Sequence, residues 1–157
     1  MDTELFGEYG EYSESRQYIM ATRHPLLIYK MEKDSLFLTA DTLKSMNKSE
    51  HDSVRNFYAY RHVKMYMNQM QGVCDSLFYS FEDSTFRFFF KPVLWSDGIQ
   101  MSGDTIFIVL KNKKADKLSI YRSGFIVSPK EKKYFDQIKG TNIFGYFKEN
   151  ELSKMDV

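Results

Sequence analysis

The chain has 157 residues, and its 22 lysines and arginines nearly balance 21 aspartates and glutamates, giving a formal net charge of +1. This balance excludes a global field that would draw the chain to nucleic acid or to an anionic membrane. A hydrophobic content of 43% and an aromatic content of 17% exclude a disordered chain.

The first residues of the sequence do not show the pattern of a signal peptide. Residues 1–4 lack the basic and apolar regions of an export signal. No apolar run in the sequence approaches the roughly 20 residues that a spanning helix needs. We expect either a cytosolic chain or a trimmed form of an exported one.

A short motif recurs along the chain and divides it into similar units. It consists of a small residue, then an acidic residue or Thr, then usually a Ser, Thr or Asn, then usually a Leu or Ile. Its copies are a degenerate Gly10-Glu11, then Ala40-Asp41-Thr42-Leu43, Cys74-Asp75-Ser76-Leu77, Gly103-Asp104-Thr105-Ile106 and Gly140-Thr141-Asn142-Ile143. A motif that recurs at roughly regular intervals along a chain is typical of supersecondary units that bury their apolar faces by stacking.

Each motif begins a predicted hairpin. Residues 103–110 alternate apolar residues with a period of two, which predicts a strand, residues 111–116 predict a turn, and residues 117–128 predict the returning strand. The copies at 74 and 140 turn at residues 81–84 and 148–151, and the copy at 40 uses a longer loop at 47–52. Two strands in each of about five units give about ten strands, with helix content near zero.

Two columns of apolar residues predict a shared interior. We overlay the returning strands on Pro25, Val63, Pro92 and Phe125. Two positions further, every copy is apolar: Leu27, Met65, Leu94 and Val127. The motif strands supply the matching column: Leu43, Leu77, Ile106, Ile108 and Ile143. The prolines at 25 and 92 predict an edge, a strand start or a bulge at these positions.

Three architectures fit this pattern: a closed barrel, a β-helix, and an open sheet folded over so that two walls enclose an apolar groove. Regular polar turns favour hairpins over a β-helix, and stacked similar units have no intrinsic reason to close. We therefore predict an all-β, repeat-built, folded-over antiparallel sheet of about ten strands, in a single domain at 1–157.

The sequence Gln100-Met101-Ser102-Gly103-Asp104-Thr105-Ile106-Phe107 resembles the OstA-like, or LptA-like, family of periplasmic lipopolysaccharide-transport proteins. In that family a strand ending in Gly-Asp or Ala-Asp recurs down the chain. The segments 91–95 and 24–29 occupy the place of the family's short Gly-Asn-Pro/Val strands. The family's Gly-Asn is here Arg-His, Arg-His, Phe-Lys and Ser-Gly, and the resemblance spans about Gly10 to Val157.

The resemblance implies a β-jellyroll folded like a taco shell (a β-taco) that shields lipid acyl chains while lipopolysaccharide crosses the periplasm of a Gram-negative cell. The implied partners are lipopolysaccharide and other transport proteins of the same fold, joined through edge strands, with head-to-tail self-association. It implies an outer-membrane assembly component with no cofactor and no chemistry of its own. We expect a periplasmic location, with this chain a fragment of a longer exported protein.

We expect the two apolar columns to line the lipid groove, because each buried methylene contributes about 0.8 kcal/mol and Met repacks around variable ligands. A row of basic residues could meet lipid phosphates at the groove's mouth: Arg23, Arg61, Lys91 and Arg122. The alternative interpretation of this row is a solvated strand face that discourages edge-to-edge aggregation.

Catalytic and metal-binding patterns are absent from the sequence, so we predict no enzyme. The three histidines lack metal-ligand spacing, and Cys74 is interpreted as a small buried residue. The motif aspartates are predicted to bond backbone N–H groups at strand ends, with calcium binding as a second interpretation.

Two further functions stay open: a structural β-repeat scaffold, favoured by walls packed shut, and a carbohydrate-binding jelly roll, favoured by outward-facing Trp95 and tyrosines.

Overall fold

The computed structural model describes residues 3–31, 33–49, 51–67, 69–131, 134–149 and 151–157. These residues form fifteen strands and no helix, which confirms the predicted all-β class. The strands are β1 Thr3–Phe6, β2 Tyr9–Ser13, β3 Tyr18–Thr22, β4 Leu26–Lys30, β5 Ser35–Thr39, β6 Thr42–Ser49, β7 Asp52–Met67, β8 Met70–Ser80, β9 Thr85–Phe89, β10 Val93–Ser96, β11 Ile99–Ser102, β12 Thr105–Lys111, β13 Lys114–Glu131, β14 Tyr134–Lys148 and β15 Glu151–Asp156.

The strands form one antiparallel sheet that is folded into two layers. Layer 1 runs β2-β3-β6-β7-β8-β9-β12-β13-β14-β15, and layer 2 runs β1-β4-β5-β7-β8-β10-β11-β13-β14. The long strands β7, β8, β13 and β14 pass through both layers, which joins the layers along one side. We call the row of crossing points along that side the spine.

The predicted count of about ten strands is too low. The chain runs back and forth ten times, and we call each run between two hairpin turns a pass. Five passes are interrupted at the spine, so each of them counts as two strands: β1/β2, β3/β4, β5/β6, β9/β10 and β11/β12. The sequence pattern therefore identified passes rather than strands. An alternation of apolar residues continues through a bend, so it does not show where a strand is broken.

Every crossing from layer 1 to layer 2 uses two consecutive residues with positive φ. These pairs are Arg23-His24, Arg61-His62, Phe90-Lys91 and Arg122-Ser123, with φ between 52° and 64°. None is a glycine, although L residues adopt this region rarely. The strand register shifts at the two pairs that lie inside long strands, so the pairs act as bulges that bend the sheet.

Crossings in the opposite direction use the repeated motif. The Asp41 N–H donates to the Arg61 carbonyl at 2.8 Å, and the Asp104 N–H donates to the Arg122 carbonyl at 3.0 Å. The same bond joins the Glu8 N–H to the Arg23 carbonyl at 3.1 Å. The first motif copy is therefore Gly7-Glu8, and its predicted place at Gly10-Glu11 is wrong.

At Gly103, the small residue of the motif is required by a close approach at the spine. A Cβ at Gly103 would lie 2.4 Å from Cγ2 of Ile120 and 3.2 Å from the Arg122 carbonyl oxygen. A larger residue would have to displace backbone as well as side chain there. The small residue therefore allows two neighbouring strands to bend close to each other at the spine.

The hairpins predicted for the units at 74 and 103 are present, although the turn of the second is shorter than the predicted 111–116. Strands β12 and β13 turn at Asn112 and Lys113, and β8 and β9 turn at 81–84. Pro25 and Pro92 directly precede strands β4 and β10, where no ladder donor is needed. The longer loop predicted at 47–52 is wrong, because β6 continues to Ser49 and β7 begins at Asp52. Residue 150, in the predicted turn 148–151, lies outside the described residues.

The space between the layers is filled by apolar side chains through the middle of the stack. Phe88 in layer 1 is fully buried, and its Cε1 would lie 3.6 Å from a Cβ at Gly72 in layer 2. Leu94, Met101, Ile106 and Ile120 are equally buried. The two layers are therefore in contact there.

Candidate functional site

Eight of the nine predicted groove residues face the interior, with at most 3% of each exposed: Leu27, Leu43, Met65, Leu77, Leu94, Ile106, Ile108 and Ile143. Val127 does not. It is half-buried on the opposite face, paired with Gln100, while Ile126 is fully buried and paired with Met101. The overlay was shifted by one residue, because Gly124 follows the Arg122-Ser123 bend as Val63 follows Arg61-His62.

Between the layers, an open cavity of about 410 Å³ lies at the N-terminal end of the stack. It is lined by Thr3, Leu5, Ile19, Leu27, Tyr29, Ser45, Arg55, Phe57 and Phe81. Strands of both layers contribute to the wall, and most of the lining is apolar. We call this space the N-terminal cavity.

Only one predicted groove residue, Leu27, lines the N-terminal cavity. The other lining residues were missed because the cavity arises where the stack ends, and β1 and β2 provide few large inward side chains. In the sequence, an apolar residue at a repeat position looks the same whether it packs against a neighbouring strand or lines a cavity. The local signal was Arg55, a charged residue at an inward-facing position of a predicted strand.

Aromatic contacts border the cavity on the side away from the spine. Tyr29 of layer 2 meets Phe81 of layer 1 edge-on, with ring centroids 5.7 Å apart, and Phe81 packs against Phe57 at 5.5 Å. Lys113 places its Nζ 5.7 Å from the centre of the Tyr29 ring. The two layers therefore also approach each other at their hairpin edges beside the cavity.

Arg55 forms the polar corner of the N-terminal cavity. Its Nε and Nη2 donate to Ser45 Oγ at 3.1 and 2.7 Å, and its Nη1 donates to Asn47 Oδ1 at 3.1 Å. Its Nη2 also donates to the Gln17 carbonyl at 3.0 Å. Partial removal from water lowers the pKa of the Arg55 guanidinium from its ordinary value, but an arginine stays charged.

The four basic residues of the predicted row are exposed and lie on the spine, not at the groove's mouth. The layers are joined there, so the mouth prediction is wrong in position. Acidic residues of the motif crossings alternate with them: Glu8, Arg23, Asp41, Arg61, Asp75, Lys91, Asp104 and Arg122 in spatial order. Adjacent strands are about 4.8 Å apart, so this row mixes both charges closely.

Among the motif carboxylates, those of Glu8, Asp41 and Asp75 contact side chains rather than the strand-end N–H groups that we predicted. An Asp41 carboxylate oxygen lies 3.0 Å from Nδ1 of His62, and Glu8 lies 3.4 Å from Nδ1 of His24. Asp75 accepts a hydrogen bond from the Ser76 hydroxyl at 3.0 Å. Within the described ranges, no group of three or more His, Cys, Asp or Glu side chains is placed to hold a metal ion. That part of the chain also offers no helix able to cross a membrane.

Cys74 and Tyr79 of β8 are weakly acidic because burial disfavours their charged forms. Burial raises the pKa of the Cys74 thiol from 9.0 to about 12 and that of the Tyr79 phenol from 10.0 to about 12. The Cys74 thiol donates to the Ser76 carbonyl at 3.2 Å. Cys74 is thus a half-buried residue with little thiolate character near neutral pH.

These two groups predict a loss of stability at alkaline pH. The unfolded chain releases both protons at a lower pH than the folded chain, so their stabilising effect is complete below pH 9 and falls as the pH rises towards 12. Urea unfolding at several pH values between 8 and 11.5 measures this slope. The variant Cys74→Ala with Tyr79→Phe should have a shallower slope, and an unchanged slope in that variant would contradict the assignment.

Aromatic side chains also face outward from both layers. On layer 2, Trp95 is 37% exposed, and its indole N–H donates to Gln100 Oε1 at 3.2 Å. A shallow depression lies between Trp95, Tyr66 and Phe37. On layer 1, Arg87 lies between the rings of Phe78 and Phe107, with its guanidinium carbon 5.3 and 5.5 Å from their centres.

The described strands thus form a β-jellyroll folded along the spine, with an apolar interior and with end strands that pair on one side only. The fold is similar to that of LptH, described as the LptA-homologous periplasmic component of the conserved lipopolysaccharide transport device of Pseudomonas aeruginosa. The TM-score is 0.57 at 8% sequence identity, over 87% of this chain and 93% of LptH. No family model matches the chain, and no curated sequence matches it.

Proposed function

We propose that the protein is a periplasmic component of lipopolysaccharide transport that shields acyl chains between its two layers. The observation that carries this proposal is the N-terminal cavity, which opens between the layers and is lined mainly by apolar side chains. An alkyl chain that enters it leaves water at a gain of about 0.8 kcal/mol per methylene. The similarity to the fold of LptH supports the same use.

The packed middle of the interior is compatible with this proposal, because some of the side chains that fill it are flexible. Met65, Met67 and Met101 are buried between the layers beyond the cavity. Methionine has three flexible side-chain bonds and repacks around an inserted chain more readily than a branched residue does. We therefore place the resting site of an acyl chain in the N-terminal cavity and its onward path along these residues.

The ends of the stack suit joining to proteins of the same fold. Within the described ranges, β1 and β2 at one end, and β15 at the other, each pair with a single strand. Unpaired edges are templates for strand addition. Head-to-tail self-association, contact with other transport proteins, and membership of a longer exported chain belong to this proposal. Contact of Arg23, Arg61, Lys91 and Arg122 with a lipid headgroup also stays a prediction.

The two other functions each have an observation in their favour. The packed middle of the interior favours a structural scaffold, and the exposed Trp95 with its neighbouring depression favours carbohydrate binding. We prefer acyl-chain shielding because a scaffold has no need for an apolar cavity with a charged corner.

Filling the N-terminal cavity tests the proposal. Ile19→Trp should weaken the binding of fluorescent lipopolysaccharide about tenfold, because excluding two methylenes costs about 1.6 kcal/mol. Fluorescence anisotropy with the purified chain measures the affinity. Tyr18→Trp is the matched control, since Tyr18 directly precedes Ile19 in the same strand and faces the outer side. Equal binding by both variants, with unfolding curves like that of the parent chain, would exclude the cavity as the acyl site.

A further inference from the structure

We propose that the N-terminal cavity is selective for amphiphiles with an anionic group, which Arg55 and Ser45 bind while the alkyl chain occupies the apolar part. The inference rests on the proposed function, in that it takes the cavity to hold an alkyl chain. It adds that the ligand is anionic and that Arg55 and Ser45 bind its charged end.

The first argument is a count of hydrogen-bond donors at the polar corner. A guanidinium carries five N–H donors, and four bonds from Arg55 are present, one from Nε, one from Nη1 and two from Nη2. One Nη1 donor remains. Ser45 Oγ accepts two of these bonds, so its own hydroxyl proton is available to donate. The corner thus offers donors to a ligand, as an anion requires.

The second argument is charge. Among the ion pairs of the described residues, Arg55 has no carboxylate partner, and its bonds go to a hydroxyl, an amide and a carbonyl. Acidic residues of the neighbouring turn are engaged elsewhere: Glu82 with Lys48 at 2.8 Å, and Asp83 with Arg87. A charge that is partly removed from water without a counter-charge is costly, and an anion brought by the ligand would offset that cost.

The third argument is the placement of the corner relative to the apolar wall. Arg55 and Phe57 follow each other on the inward face of β7, and Leu27 and Leu5 face them from layer 2. Ser45 lies opposite Phe57 in the strand register and is itself buried. An alkyl chain along the apolar residues can therefore carry its anionic end to Arg55. Carboxylate and phosphate both fit donors of this kind, and arginine binds either.

Three ligands with one alkyl chain and different ends test the inference. Dodecyl phosphate and dodecanoate, each below its critical micelle concentration, and dodecanol, below its solubility limit, compete with a fluorescent alkyl probe on the purified chain. We expect dodecyl phosphate or dodecanoate to bind about 10- to 100-fold more tightly than dodecanol, as for a hydrogen bond to a charged group. Stronger binding of the phosphate would indicate a phosphorylated lipid, and of the carboxylate a fatty acid.

Variants identify the side chains responsible. Arg55→Gln should remove the preference for the anionic ligands, and Ser45→Ala should reduce it, while dodecanol binding stays within about twofold. Lys113→Gln is the control, since it removes a charge at the cavity's rim without touching the corner.

The outcomes separate the two proposals. Equal affinity of the parent chain for all three ligands would overturn the anion inference and leave acyl-chain shielding intact. Absence of binding by any of them would overturn acyl-chain shielding itself. Because the parent chain alone gives this comparison, the inference can be refuted even if Arg55→Gln fails to fold.

Discussion

Phe88→Ala should lower the free energy of unfolding by about 3 to 5 kcal/mol, the usual cost of truncating a fully buried Phe. Phe88 lies in β9, at the centre of layer 1, and is fully buried. Gly72 faces it from layer 2 and provides no side chain that could move into the vacated space. Urea unfolding followed by circular dichroism at neutral pH measures the change.

Phe6→Ala is the control for this substitution. Phe6 lies in the edge strand β1 and is 51% exposed, so its truncation should cost less than about 1 kcal/mol. A similar small loss for Phe88→Ala would mean that the space between the layers is already loosely filled. It would then be an open trough along the whole stack, and the N-terminal cavity would be only its widest part.

Much of the fold could be predicted because local chemistry repeats with the structure. The alternation at 103–110 gave a strand, and the polar residues after it gave the turn, since neither depends on distant parts of the chain. Proline before β4 and β10 marked strand starts for the same reason. The motif marked crossings of the spine, because at Gly7 and Gly103 its small residue meets a close approach of a neighbouring strand.

The bends of the spine could not be predicted. Positive φ is expected at glycine or asparagine, and here it falls on Arg, His, Phe, Lys and Ser. The alignment of the last returning strand slipped by one residue for that reason, and Val127 was placed where Ile126 lies. In a strand, an error of one residue moves a side chain to the other face.

The candidate site was predicted only in part, because it depends on the end of the stack. The inward columns are a property of each repeat, so the sequence contains them. The cavity, which Arg55 lines, arises where the stack has no further neighbouring strand to fill the space between the layers. A repeat pattern describes interior units well and terminal units poorly.

The bends themselves should be sensitive to residue type through backbone conformation rather than charge. Replacing both Arg61 and His62 by Val should lower the free energy of unfolding by about 2 to 4 kcal/mol, since each β-branched residue is strained at positive φ. Replacing both by Gly should leave stability within about 1 kcal/mol of the parent, because relief of strain offsets the greater freedom of the unfolded chain. Thermal or urea unfolding of the two variants measures both values.

The Gly variant separates conformation from electrostatics, since both substitutions remove the same charges. The contact between His62 and Asp41 is largely exposed, and such pairs contribute little. If the Gly variant were as unstable as the Val variant, the charged row of the spine, and not its left-handed backbone, would hold the two layers at their angle. A stable Gly variant would instead show that Arg61 and His62 meet a backbone requirement that glycine meets equally well.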